Sequence, residues 1–185
     1  MSGRKRRATF EDVEDVSINC VGELIGDALF SNSRPLPPQV RATSRLGMLL
    51  GAPFDLGEGG PGGWVILNEP ELHLGDDVFV ADLAGWRRER MPEMPKTEIY
   101  TLAPDWICEV LSPATAELDR GTKMVAYARE GVAHLWFVDP FQKSLEAFRL
   151  ENQNWTPQGN WSADALVQAE PFTALALRLA PLWEW

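Results

Sequence analysis

The stretch Pro104–Pro113 reads Pro-Asp-Trp-Ile-Cys-Glu-Val-Leu-Ser-Pro, a short run of strand-forming residues closed by proline at both ends. Side chains alternate along a strand, so Asp105, Ile107, Glu109 and Leu111 share one face and Trp106, Cys108 and Val110 the other. Glu109 therefore stands between two large apolar residues. A carboxylate in such a place is seldom tolerated unless it is paired or bound to a cation. Ser112 then supplies a helix N-cap and Pro113 a first helical position, with the helix continuing over Ala116 to Glu130 until Gly131 stops it. The apolar run Val132 to Val138 follows as a buried strand. A strand, a helix and a strand in this order predict a mixed α/β domain.

On that helix Asp119, Lys123 and Tyr127 fall four residues apart, on one stripe, so Lys123 can reach back over the end of the preceding strand. The carboxylate pattern recurs twice. Asp82 interrupts Val78-Phe-Val-Ala-Asp-Leu-Ala84, and Glu23 interrupts Val21-Gly-Glu-Leu-Ile25. Three strand carboxylates with one lysine suit a hard cation such as Mg²⁺, with Mn²⁺ as its substitute, which takes a few carboxylates and keeps several waters. A lysine can position or deprotonate a water nucleophile, and the metal stabilises charge developing on a phosphate. Taken singly, each carboxylate could as well face solvent at a sheet edge, form an ion pair or cap a turn. Spacing leaves convergence open.

The rest of the chain frames this set. Thr9 is a plausible N-cap for a short acidic helix at Glu11 to Asp15, and Cys20–Phe30 reads as a strand pair or a strand with a glycine bend. A proline-rich loop over Ser31–Pro38 leads into a helix from about Gln39 to Leu50. Gly57–Gly63 is glycine-rich, but it lacks the Lys-Ser/Thr of a phosphate cradle and runs into a strand candidate at Trp64–Asn68. Further strands are expected at Glu71–Leu74, Val78–Ala84, Asp105–Leu111 and Ser144–Leu150, with the Leu-rich tail to Trp185 completing the sheet or sealing its edge. Cys20 and Cys108 are isolated, which fits buried thiols in a reducing compartment. His73 and His134 have no Cys or second His nearby, so zinc is not expected. Ser112 lacks a histidine to activate it. No apolar run reaches membrane-spanning length, and acidic residues follow the basic N-terminus where a signal peptide needs an apolar stretch, so a cytoplasmic location without membrane attachment is expected.

The formal net charge is −10, and four of the 17 Lys and Arg residues lie within residues 1–7. What remains carries 13 cations against 27 anions, a net −14. Such a chain cannot coat nucleic acid by bulk positive charge. Residues 1–7 read as a basic flexible tail and 8–185 as one domain.

The combination Ala103-Pro-Asp-Trp-Ile-Cys-Glu-Val-Leu-Ser-Pro-Ala-Thr115, Asp119-Arg-Gly-Thr-Lys-Met-Val-Ala-Tyr127, Gly131-Val132 and Leu135-Trp-Phe-Val-Asp-Pro140 resembles a bacterial family, abundant in cyanobacteria, of Uma-type restriction endonucleases. Ala8–Asp12, Gly22–Ile25, the Arg34-Pro-Leu-Pro loop and Val80–Trp86 extend the resemblance, which covers roughly residues 8 to 150. It implies the PD-(D/E)XK nuclease fold, a mixed sheet flanked by helices. It also implies roles: Asp82 and Glu109 as metal ligands, Lys123 as the catalytic lysine moved from the strand, where Leu111 now stands, to the following helix, and Glu23 as an additional acidic residue. Ala81 stands where that motif usually has proline, and Asp105, which does follow a proline, is the rival to Asp82. Family members often carry histidine near Gln39.

The resulting expectation is a Mg²⁺-dependent endonuclease acting on nucleic acid, DNA above all, through a metal-activated water. Arg87, Arg88, Arg90 and the basic tail would contact phosphates, and Trp86 beside them would be the one candidate stacking platform. The alternative is a catalytically silent nuclease fold serving as a binding or assembly module, which the acidic charge favours. Homodimerisation is expected in either case, with Leu182-Trp-Glu-Trp185 as a dimer contact or the last core strand.

Overall fold

The structure, a computed structural model, describes residues 6–184; Arg4 and Lys5 of the expected basic tail, and Trp185, lie outside the described residues. Arg6 and Arg7 are ion-paired to Asp12 and Asp27. After a short acidic helix α1 (Phe10–Glu14) the first apolar segment forms the antiparallel hairpin β1 (Cys20–Ile25) and β2 (Ala28–Ser33). Ile25 pairs with Ala28, so only Gly26 and Asp27 remain in the loop, at φ 58° and 66°, the two-residue turn whose twist suits a hairpin. Cys20, at the start of β1, is half-buried; Cys108 is fully buried.

Helix α2 (Pro37–Leu50) starts two residues before Gln39, because the first helical positions have no N–H partner to lose and prolines fit there. It continues through a π-helical segment, Gly51–Leu56. The glycine-rich loop then enters β3 (Trp64–Asn68), as its sequence implies, followed by β4 (Glu71–Leu74).

The stretch 78–84, which composition suggests as one strand, is divided. It contributes to β5 (Asp77–Val80) and β6 (Leu83–Arg87), which belong to different sheets, with Ala81 and Asp82 carrying the chain between them. The break has a local cause. Leu83 is the last residue of β6 to pair with β7 (Trp106–Val110), opposite Cys108. Beyond it the Val110 N–H donates to Asp82 Oδ2 at 2.7 Å, a side chain taking the place of a ladder carbonyl.

From β7 the chain crosses over a helix to β8 (His134–Asp139), which is parallel to β7. The helix has three parts: α3 (Ala116–Leu118), a π-helical turn Asp119–Lys123, and α4 (Met124–Arg129). Ser112 Oγ accepts the N–H groups of Ala114 and Thr115 in the turn before it, and Gly131, at φ 76°, ends it. Antiparallel β9 (Ser144–Glu151) and β10 (Asn154–Ser162) complete a six-stranded mixed sheet, order β10-β9-β8-β7-β6-β3; a second sheet has the order β2-β1-β5-β4.

The alternation along β7 divides the core in two. Trp106, Cys108 and Val110 pack with Leu46, Leu50, Phe54, Trp64 and Trp136 beneath α2. Ile107 and Leu111 pack on the opposite face with Trp86, Ala126, Tyr127, Leu135 and Phe137. The C-terminal segment does not extend the large sheet. It forms its own two-stranded sheet, β11 (Leu166–Val167) with β12 (Leu177–Arg178), and a 3-10 turn at Ala180–Leu182. Phe172 from this segment sits 4.9 Å, ring to ring, from both Trp64 and Trp106, and Leu182 is core. Trp86 is fully buried and its indole N–H donates to Leu102 O at 2.8 Å, so it is a core side chain and offers no stacking surface. No helix among the described residues is long and apolar enough to cross a membrane.

Candidate active site

Glu109 lies on the face of β7 that looks toward the crossover helix, and it is 2 % exposed. Its Oε1 accepts the Tyr127 hydroxyl and stands 2.8 Å from Lys123 Nζ. The same ammonium is 2.9 Å from Glu23 Oε1 on β1 and 3.5 Å from Asp119 Oδ1. Glu23 is fixed in turn by the Val80 N–H at 3.0 Å and by Asn32 Nδ2 at 3.3 Å. Lys123 is thus enclosed by three carboxylates from two strands and its own helix.

The π-helical turn explains how Asp119, Lys123 and Tyr127 all face inward. Four residues overshoot one turn of an α-helix and undershoot one turn of a π-helix. One step of each, 119 to 123 and 123 to 127, brings the three side chains back into line.

Asp82 completes the set from the crossing between the two sheets. Its backbone N–H lies 3.5 Å from Glu109 Oε2, and its Oδ2 holds the Val110 N–H. The Val110 carbonyl accepts from Gln39 Nε2 at 2.8 Å, while Gln39 Oε1 accepts the Leu36 N–H at 3.0 Å. Both backbone groups of Val110, left free where β6 departs, are therefore satisfied by side chains. Glu23, Asp82, Glu109, Asp119 and Lys123 line one cavity of about 300 Å³, walled by Val21, Arg34, Leu36, Gln39 and the Ser112–Thr115 turn.

Four carboxylates around one lysine leave an excess of negative charge in a poorly solvated place. Burial pushes Asp82 up to about 7, against the lowering effects of the Val110 N–H and Lys123. Burial and the surrounding carboxylates push Glu109 up to about 8 in spite of Lys123, and Asp119 is raised for the same reasons. For Lys123 burial works downward, but Glu109, Glu23, Tyr127 and Asp119 outweigh it and hold the ammonium well above its ordinary value. Burial and the adjacent Glu109 also keep Tyr127 un-ionised.

Among the described residues no three His, Cys, Asp or Glu side chains are grouped as ligands of one metal ion. Mg²⁺ does not require such a group, since one or two carboxylates with water suffice. Asp82 and Glu109 fit that need: both line the cavity, and a divalent cation would favour the charged forms that burial, with the neighbouring carboxylates, disfavours.

The fold brings Glu23, Asp82, Glu109 and Lys123 together and leaves other candidates elsewhere. Asp105 does not line the cavity; its carboxylate binds the Arg87 N–H and Arg90, each at 2.8 Å. Arg87, at the far end of β6 from Asp82, lies over the Trp64 ring at 4.2 Å, and Arg88 pairs with Asp55 at 2.8 Å. None of Arg87, Arg88 and Arg90 lines the cavity, because a five-residue strand separates them from it. His73 bonds Glu71, and the half-buried His134 lies 3.9 Å from Glu170 and opposite Arg149 on the neighbouring strand. Three side chains belong to the site without having been assigned to it from sequence: Asp119 and Tyr127, which the four-residue spacing flagged, and Gln39, which stands where relatives were expected to carry histidine.

Fold and site together define a restriction-endonuclease-like domain, a mixed sheet flanked by helices with acidic residues and one lysine gathered where the sheet opens. Residues 23–181 match the Uma2 family, described as "Putative restriction endonuclease", and the chain belongs to that family. Its structure is similar to the crystal structure of a putative nuclease belonging to DUF820 from Anabaena variabilis, with a TM-score of 0.75, 20% sequence identity and 94% of each chain covered. No curated protein matches the chain.

Proposed function

We propose that this protein is a Mg²⁺-dependent endonuclease that hydrolyses a phosphodiester bond of nucleic acid, DNA in the first instance, with Mn²⁺ able to substitute. The observation that carries this reading is the convergence of Asp82, Glu109 and Lys123 on one cavity. Asp82 and Glu109 would hold the metal, each through its less engaged oxygen: Glu109 Oε1 is taken by Lys123 and Tyr127 while Oε2 meets only the Asp82 N–H at 3.5 Å, and Asp82 Oδ2 is taken by Val110. When bound, the ion supplies positive charge to the scissile phosphate and polarises a water. Lys123, kept protonated by its carboxylate neighbours, would orient the attacking water as a donor rather than act as a base, releasing its long 3.5 Å contact with Asp119 to do so. Glu23 and Asp119 fix the ammonium in place.

A second reading, a silent nuclease fold acting as a binding or assembly module, draws support from the enclosure of Lys123, which is only 2 % exposed. Cleavage assays of single-stranded and duplex DNA and RNA with Mg²⁺, Mn²⁺ or EDTA separate the two, alongside calorimetry of the metals. Metal-dependent cleavage abolished by Asp82→Asn and Glu109→Gln is the expected result. Metal binding without cleavage of any nucleic acid would favour the module, and neither binding nor cleavage would remove the enzyme reading.

A further inference from the structure

From Ala28 to Phe54 the chain holds three arginines, Arg34, Arg41 and Arg45, and no Asp or Glu, within a protein of net charge −10. This segment, β2 through α2, forms one wall of the acidic cavity. Arg34 is exposed at the cavity wall beside Pro35 and Leu36, its guanidinium donating to Ile18 O at 3.1 Å. Arg41 lines a shallow pocket that shares Pro35 with the cavity, and donates to Glu184 O at 3.2 Å. Arg45 follows one helical turn later, its Nε without a hydrogen-bond partner.

Among the described residues none of these three has a carboxylate within ion-pair distance, a property shared only by the isolated Arg87 and Arg178, whereas Arg6, Arg7, Arg88, Arg90, Arg120, Arg129 and Arg149 are all paired. An arginine already neutralised by a neighbour gains little from a phosphate, while an unpaired one can neutralise it and so release counterions condensed on the nucleic acid. Half-exposed Leu36 and Val40 lie between Arg34 and Arg41 and offer apolar surface to sugar or base.

We propose that the substrate strand runs along this wall, Arg34 holding the phosphate nearest the cavity and Arg41 the next one outward. The proposal rests on the phosphodiester reading of the site and names the surface that delivers the strand to it. A nucleic-acid strand is the occupant because the cations continue directly from the cavity that holds Asp82 and Glu109.

The test is the salt dependence of binding of a fluorescein-labelled oligonucleotide, single-stranded and duplex, in Ca²⁺ to limit cleavage. Arg34→Ala and Arg41→Ala are each expected to lower the slope of log K against log[KCl] by about one. Arg34→Lys should retain the slope, and Arg88→Ala should leave it unchanged. An unaltered slope in the Arg34→Ala, Arg41→Ala double variant, a loss confined to Arg88→Ala, or binding to anionic phospholipid vesicles without binding to either oligonucleotide would overturn the proposal. Arg34-dependent binding by a protein that cuts nothing supports the surface while removing the nuclease reading. Cleavage with an Arg34-independent slope does the reverse.

Discussion

Lys123 Nζ lies 2.8 Å from Glu109 Oε1, across the gap between the crossover helix and the central strand, with both side chains almost wholly buried. The pair ties the helix to the sheet at the point where the proposed chemistry occurs. Because Glu23 and Asp119 meet the same ammonium, the lysine is as much the electrostatic keystone of this region as a catalytic donor.

Removing that ammonium should therefore be costly before any assay of activity. Lys123→Met would leave Glu23, Glu109 and Asp119 buried without their cation, a change that costs about 3–5 kcal/mol when a buried pair loses one partner. A fall in Tm of roughly 6–20 °C is expected in the metal-free protein. Thermal denaturation of both proteins checks this, and a variant melting within a degree of the parent would contradict the ion cluster.

Asp82→Asn has the opposite expectation. The amide oxygen can still accept the Val110 N–H, while a charge that burial disfavours is gone. Metal-free Tm at pH 7.5 should be unchanged or a few degrees higher, and Mg²⁺ or Mn²⁺ affinity by calorimetry should fall at least about tenfold, since losing even a group that only orients a ligand costs that much. A lower Tm with unchanged affinity would remove Asp82 from the ligand set.

Stability should fall as pH rises. Asp82 and Glu109, raised to about 7 and about 8, hold protons in the folded state that the unfolded chain has released above about pH 4. The folded state thus binds more protons across pH 4–8, and the unfolding free energy decreases through that window. Metal-free protein is expected to melt roughly 10–20 °C lower at pH 8 than at pH 5.5, and Mg²⁺ should restore most of the difference at pH 8 and little at pH 5.5. Differential scanning calorimetry at both pH values, repeated on Asp82→Asn, in which the pH effect should shrink, decides the matter.

Tyr127→Phe deletes the hydroxyl that donates to Glu109 Oε1 while keeping the ring against Phe79. A destabilisation of about 1–3 kcal/mol is expected, since a buried carboxylate oxygen loses one of its two partners. Urea unfolding measures it. An unaffected midpoint would mean that Lys123 alone satisfies that oxygen.

Much of this arrangement could be read before folding. The alternation in 105–111 placed Glu109 among apolar neighbours, and β7 buries it there, between the positions of Ile107 and Leu111 on one face. The spacing of Asp119, Lys123 and Tyr127 marked an inward stripe, although the π-helical turn that straightens it has no composition signal. Residues 87–90 are exposed as their charges imply, but Trp86, read from the same local count as a stacking platform, is core. The tertiary fold buries that tryptophan under Leu102 and pairs Arg88 and Arg90 with Asp55 and Asp105.

Local periodicity and residue chemistry were enough for the strand–helix–strand centre, for the three carboxylates set in apolar segments and for the lysine that follows them, because each depends on neighbours a few positions away. Convergence was of another kind. That Asp82 and not Asp105 meets Glu109 follows from the chain changing sheets at Ala81–Asp82. That Gln39 and Arg34 border the same cavity follows from α2 packing against the end of β7. Both are consequences of long-range burial, which no window of sequence contains.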